Sequence, residues 1–162
     1  MAAADLTVGL REYHFEDSQF TYILSDVTDA ATAATAAAAN NYVDLMVSID
    51  ANDPATVKLA PDNGELFGRI EQLEWRAQEG VCYVTVSKRF IGNVILKTGE
   101  TPAIGSQVIG AGNGQVKSRA AKSVTDTGTS GVAVTWTMGS APFHNVLDYD
   151  GTAHTVTLSF GV

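Results

Sequence analysis

From residue 43 onward the chain repeats short hydrophobic alternations that are separated by turn-forming residues. Val43, Leu45, Val47 and Ile49 occupy every second position, which is the period of a strand with one buried face. Comparable runs return at intervals of about 8–12 residues, as in sandwiches and barrels. The pattern predicts an all-β fold, a small β-barrel or β-sandwich.

The predicted strands lie between clusters of Gly, Asn, Asp and Pro. Turns are predicted at 50–54, 61–64, 78–80, 110–114 and 150–151, because these residue types tolerate turn geometry. Pro54 has no N–H to donate to a sheet. The predicted strands are 43–49, 57–59, 66–75, 81–86, 91–96, 107–109, 115–118, 132–138, 145–149 and 154–160.

An alanine-rich segment precedes the strands. Residues 26–40 are mostly Ala and Thr, and Ala has the highest helix propensity. The sequence predicts one short helix of about 11 residues, with Thr28 or Asp29 as its N-cap. Thr at every third position also fits a strand or a loose linker.

Residues 1–26 are predicted to form an extended N-terminal arm, and residues 27–162 a β-rich domain that opens with the helix or linker at 27–41. Terminal segments are poorly ordered unless something holds them. The arm carries several aromatic residues, which we predict to contact a neighbouring chain; packing on the arm's own domain is the alternative. These candidate contact residues are Tyr13, Phe15, Phe20 and Tyr22.

The charge of the chain argues against two classes of partner. The net charge is −8, whereas nucleic acids and anionic membranes select basic surfaces. With 14 acidic and 4 basic residues, positions 1–81 carry −10; with 4 and 6, positions 82–162 carry +2. The imbalance suggests an acidic and a mildly basic face for docking on a charged protein. The alternative is that acidic loops simply keep the protein soluble.

No pattern of metal-binding or cofactor-binding residues is present in the sequence. His14, His144 and His154 are scattered, without the spacing of a metal site. Residues 110–114 are rich in glycine but match neither nucleotide-binding motif, so we predict a hairpin turn. The acidic pairs near residues 50 and 150 lack the remainder of a calcium loop. We therefore expect no cofactor and no metal.

A catalytic site is not predicted either. Cys82 is the only cysteine, so no disulfide can form within the chain, and its place in an apolar strand predicts a buried, inert thiol. No Gly-x-Ser-x-Gly motif is present. Trp75 and Trp136 are expected in the core, since their strands alternate. The sequence has no secretory signal and no membrane-length apolar stretch, so a cytoplasmic origin is expected.

Residues 57–117 resemble the capsid decoration (cement) proteins of tailed bacteriophages. In that family a Gly-x-Ile/Leu strand, a Gly-Val-x-x-Val strand and a Gly-x-x-Val…Gly-x-Val hairpin recur in this order. The matching stretches are 57–74, 80–86, 103–110 and 113–117. The arm and the alanine-rich segment lie outside the resemblance.

The resemblance implies a non-enzymatic virion protein. Such a protein is made in the host bacterial cytoplasm, binds the major capsid protein on the outer surface of the shell, and stabilises it, often as a trimer. Many weak contacts add up through multivalency. The alternative is a head-fibre or tail-associated module that binds a host receptor or glycan, which an exposed Trp75 or Trp136 would favour.

Overall fold

A computed structural model of the chain describes residues 13–14, 19–38, 41–51, 53–120, 122–127, 133–138 and 144–161. The fold is all-β, as predicted, with one helix in these ranges, α1 (Ala30–Ala37). The strands are β1 (Tyr13–His14), β2 (Gln19–Leu24), β3 (Met46–Asp50), β4 (Asp53–Leu59), β5 (Gly68–Arg76), β6 (Val81–Ser87), β7 (Phe90–Ile95), β8 (Val108–Gly110), β9 (Val116–Ser118), β10 (Lys122–Thr127), β11 (Ala133–Met138), β12 (His144–Asp150) and β13 (Thr155–Phe160).

Five strands close into a barrel in the order β2-β4-β3-β5-β6. Strand β2 runs parallel to β4 and antiparallel to β6, and closure leaves no open edge. Alternate residues of β6 are fully buried, as the period of two requires. The barrel core consists of Leu24, Val27, Ala33, Ala36, Leu45, Val47, Val57, Ile70, Cys82, Val84 and Val86.

A four-stranded sheet with the order β1-β7-β13-β12 packs beside the barrel. Its pairings are antiparallel, and Asp150–Gly151 begins the turn from β12 to β13, as predicted. The rings of Phe90 and Phe160 stack with centroids 5.3 Å apart. The sheet core consists of Met46, Ala60, Phe90, Val94, Leu96, Val108, Val116, Val146, Val156, Leu158 and Phe160.

Strand β3 is a wall shared by the two cores. Met46 and Val47 are consecutive, and both are fully buried. Since neighbouring side chains of a strand point to opposite faces, Met46 enters the sheet core while Val47 enters the barrel core. The two layers therefore pack against opposite faces of one strand.

Helix α1 confirms one of the two predicted caps. The Asp29 carboxylate accepts hydrogen bonds from the backbone N–H groups of Ala31 and Thr32 at 2.9 and 2.8 Å, which satisfies two donors that the first turn leaves free. Ala33 and Ala36 are buried in the barrel core, so the methyl face packs closely. The helix is shorter than predicted because Ala38 is already extended.

The N-terminal arm predicted over residues 1–26 is wrong for Gln19–Leu24. This stretch is barrel strand β2, paired with β6 from Gln19 to Ile23 and with β4 at its end. Tyr13–His14 pairs with β7. Residues 1–12 and 15–18, the remainder of the predicted arm up to β2, lie outside the described residues.

The predicted turn at 50–54 is also too long, because β4 already begins at Asp53 and includes Pro54. Proline is tolerated there because the pairing of β3 with β4 shifts its register between Ile49 and Asp50. At the other end, β3 begins at Met46 rather than Val43. Asp44 has a φ of 66°, which no strand residue adopts.

Candidate interaction surfaces

The four predicted contact residues fall in different places. Tyr13 lies on β1, but its side chain is outside the described part of the structure, as is all of Phe15. Phe20 and Tyr22 lie on β2. Phe20 is 45% exposed, whereas Tyr22 is half-buried and packs against the barrel core. The structure therefore brings together two of the four.

Phe20 and Tyr22 belong to an aromatic–lysine cluster, which we define as Phe20, Tyr22, Phe67 and Lys88. The Lys88 ammonium nitrogen lies 4.4 Å from the centre of the Phe20 ring and 4.3 Å from that of Phe67. Its distance to the Tyr22 ring is 5.2 Å. Tyr22 and Phe67 meet edge to face at 5.4 Å. A cation over ring faces is attracted by their quadrupoles, so the cluster fixes a positive charge at the barrel surface.

Lys88 makes no ion pair with a carboxylate of the described residues. The next residue, Arg89, donates a hydrogen bond from Nε to the carbonyl of Gly161 at 3.1 Å. Two positive charges thus follow each other where β6 passes into β7. This turn is a local basic site on a protein whose net charge is negative.

A second surface, the apolar patch, consists of Ile104, Leu147 and Tyr149. These side chains are 75%, 44% and 40% exposed. Backbone hydrogen bonds from Gly105 N to Val146 O at 2.8 Å and from Val146 N to Ser106 O at 2.9 Å hold the Ile104 loop against β12. Single exposed apolar residues are ordinary on protein surfaces, but adjacent ones mark interaction sites.

A β-bulge places Leu147 in this patch. Val146 pairs with Leu158 in the sheet core, and the register then shifts so that Asp148 pairs with Thr157. The extra residue, Leu147, is left exposed. Bulges re-aim side chains in this way. The patch is bordered by the exposed residues Asp148 and Asp150, which give it a negative rim.

A polar groove of about 560 Å³ lies on the outer face of the sheet, beside the apolar patch. The Thr157 hydroxyl donates to Asn93 Oδ1 at 2.7 Å. One wall is formed by Tyr149, whose ring packs against Gly151. The residues that line the groove are Asn93, Asp148, Tyr149, Asp150, Gly151, Ala153, Thr155 and Thr157.

Cys82 is fully buried in the barrel core, as predicted. Burial raises the pKa of its thiol to about 11, because a thiolate is poorly solvated there. A nucleophilic cysteine requires the thiolate, so Cys82 is unsuited to catalysis. Among the described residues, no group of three or more His, Cys, Asp or Glu is placed to hold a metal ion.

The glycine-rich stretch at 110–114 is a hairpin turn between β8 and β9, as predicted. Asn63 N donates to Gly110 O at 2.8 Å, and Gly110 N donates to Gly64 O at 3.0 Å. Gly114 has a φ of +74°, and a Cβ there would lie 2.8 Å from that of Leu45. The backbone groups of this hairpin turn therefore bond to the neighbouring turn at 61–64, and its glycines allow the close packing.

Trp75, predicted in the core, is partly buried and packs against the barrel core, and its indole N–H is buried without a hydrogen-bond partner. It therefore forms no exposed aromatic groove. The side chain of Trp136 lies outside the described residues.

The sequence analysis did not identify Lys88 as part of a contact surface. Lys88 is 66 or more residues away from its partners on β2, so no local pattern connects them.

Comparisons of the chain with family models, with curated proteins and with solved structures find no match. The described residues contain no helix with the length and apolar character needed to cross a membrane.

Proposed function

We propose that this chain is a structural virion protein that binds the outer surface of a tailed-phage capsid and stabilises the shell. The observation that carries the proposal is an all-β domain that exposes two contact surfaces, the aromatic–lysine cluster and the apolar patch, as a protein that assembles with further copies on a shell requires. In this proposal the partner is the major capsid protein, and the protein has no catalytic role. It is made in the bacterial cytoplasm and acts on the virion.

The resemblance of residues 57–117 supports the proposal, because its glycines have physical roles in this fold. At Gly68 a Cβ would lie 2.5 Å from Val86 and 2.6 Å from the Ser87 carbonyl oxygen. Gly80 has a φ of +64° in the turn between β5 and β6. The spacing of the resemblance thus coincides with positions at which this barrel requires glycine.

The surfaces also suit a protein that acts in many copies. Each surface is defined by only three or four side chains, whereas a stable interface has about 20–30 residues on each side. Copies that bind a repeating shell, and each other, gain avidity without new contacts. We therefore propose a homo-oligomer, with a trimer favoured.

The test uses empty shells assembled from the major capsid protein encoded in the same genome. We expect the full chain to co-sediment with the shells at saturating stoichiometry and to raise their melting temperature. Ile49→Ser is a control variant, because Ile49 is 44% exposed but belongs to neither surface. It should bind the shells as the unmodified chain does. Shells that melt at the same temperature with and without bound protein would overturn the proposed stabilisation, and absence of co-sedimentation would overturn the binding.

A second candidate function is glycan binding by a head-fibre or tail module, which the polar groove favours. The groove places the Tyr149 ring beside two carboxylates and the Asn93 amide. Aromatic rings stack on the apolar faces of sugars, while such polar groups bind hydroxyls. Titration with polysaccharide from the host surface, followed by the backbone amide resonances of the groove residues Asn93, Thr155 and Thr157, is the test. Saturable shifts that Tyr149→Ala abolishes would support it, and unchanged spectra would refute it.

A further inference from the structure

The aromatic–lysine cluster and the apolar patch lie on different elements of the fold. Lys88 is in the connection from the barrel to β7, whereas Leu147 and Tyr149 are on β12. In the sheet, β13 separates β7 from β12, and two strand spacings amount to about 10 Å. The two surfaces share no residue, so each copy presents both of them.

The two surfaces are chemically complementary. The cluster presents an exposed phenylalanine ring beside the charges of Lys88 and Arg89. The patch presents Ile104 and Leu147 beside the carboxylates of Asp148 and Asp150. Contact between them would bury aromatic surface on aliphatic surface and bring opposite charges together at the rim, which is the usual arrangement of an interface.

We propose that the aromatic–lysine cluster of one copy binds the apolar patch of a second copy. This contact deepens the proposed function and rests on it for its biological role, since it names the surfaces through which decorating copies meet. The contact is head to tail, because the two surfaces differ. Such contacts close into a ring or continue as a filament, depending on the rotation between copies.

A head-to-tail contact has a signature that a two-fold contact lacks. A patch variant, Ile104→Lys with Leu147→Lys, keeps its cluster intact and places positive charge opposite Lys88. A cluster variant, Phe20→Asp, keeps its patch intact and places negative charge opposite Asp148. Each variant alone lacks one half of the contact, but an equimolar mixture contains one complete contact per pair.

Sedimentation velocity over a concentration series tests this in the purified full chain, with no shell present. We expect the wild type to self-associate. For each variant alone, the Kd of self-association should be about 30-fold higher, which is the effect of losing an interface residue worth about 2 kcal/mol. The mixture should form a one-to-one dimer. Ile49→Ser should behave as the wild type, and high salt should weaken association.

The inference is overturned if the wild type stays monomeric, if both variants associate as strongly as the wild type, or if the mixture stays monomeric. Thermal melts establish that each variant is folded. If the patch variant or the cluster variant does not fold, Ile104→Ser and Phe20→Ser replace them, because these substitutions remove the same contacts without adding charge. Shells bound by a strictly monomeric wild type would refute this contact and leave the proposed function standing, whereas self-association without shell binding would do the reverse.

Discussion

Arg69 donates a hydrogen bond from Nη1 to the backbone carbonyl of Asn93 at 2.9 Å, which ties barrel strand β5 to sheet strand β7. The Arg69 side chain is only 3% exposed, and its guanidinium forms a bidentate pair with Glu71 and lies 3.4 Å from Asp44. It also lies over the Phe90 ring at 4.6 Å. One buried cation therefore joins the two layers.

Replacing Arg69 is expected to destabilise the whole fold. Arg69→Met keeps the length of the side chain but leaves Glu71 and the Asn93 carbonyl without their donor. Removal of one partner from a buried pair costs about 3 kcal/mol or more. Urea unfolding measures this cost. Arg76→Met is the control, because the pair of Arg76 with Glu74 is exposed and its loss should have a far smaller effect. Equal effects would contradict the assigned role.

The buried Cys82 thiol predicts a loss of stability in alkaline solution. Its pKa rises from 9.0 to about 11 on folding, so the unfolded chain loses this proton first. The favourable contribution is complete below pH 9 and is lost as the pH rises towards 11. Cys82→Ala removes this part of the pH dependence, which unfolding experiments across that range detect. A native thiol that reacts with a disulfide reagent at pH 8 would refute the burial.

The glycines of the β8–β9 turn and of the loop after β7 form a matched pair of tests. Gly114 and Gly99 both have positive φ, but a Cβ at Gly114 meets Leu45 and Met46, whereas at Gly99 it meets nothing. Gly99→Ala should cost about 1 kcal/mol, the strain alone. Gly114→Ala should cost about 3 kcal/mol, since overpacking is added. Equal free energies of unfolding would contradict the close packing.

The Asp29 cap predicts a loss of stability in acid. Backbone and side-chain hydrogen bonds from Thr32 hold the pKa of this carboxyl below its ordinary 3.8. Its contribution is present above about pH 4 and is lost as the pH falls through the lowered pKa. Asp29→Asn keeps a hydrogen-bond acceptor but has no carboxyl group that titrates. The thermal stability of this variant should therefore depend less on pH in this range. Asp29→Ala should be less stable than both at neutral pH.

Local patterns predicted those parts of the fold that local chemistry decides. The hairpin of β12 and β13 follows from alternation on both sides of Asp150–Gly151. A cap at Thr28 or Asp29 follows from their position before the alanines, and the structure selects Asp29. Strand β2 escaped prediction because its neighbours β4 and β6 lie far along the chain. Nothing near Gln19–Leu24 indicates those pairings.

The candidate surfaces were predictable only in part, for the same reason. Phe20 and Tyr22 were expected at a contact because aromatic residues are concentrated there. Lys88, which gives the cluster its charge, reaches them only through the pairing of β2 with β6. The exposure of Leu147 depends on a register shift between β12 and β13, and alternation alone predicts no such shift.

The position of β3 between the two cores makes the domain thermodynamically indivisible. Local unfolding that removes Met46 from the sheet core also displaces Val47 from the barrel core, because the two residues are consecutive in β3. Neither layer can melt while the other persists, so equilibrium unfolding should follow a single two-state transition. Separating the layers into two fragments would leave one of them without strand β3, so neither fragment would fold on its own.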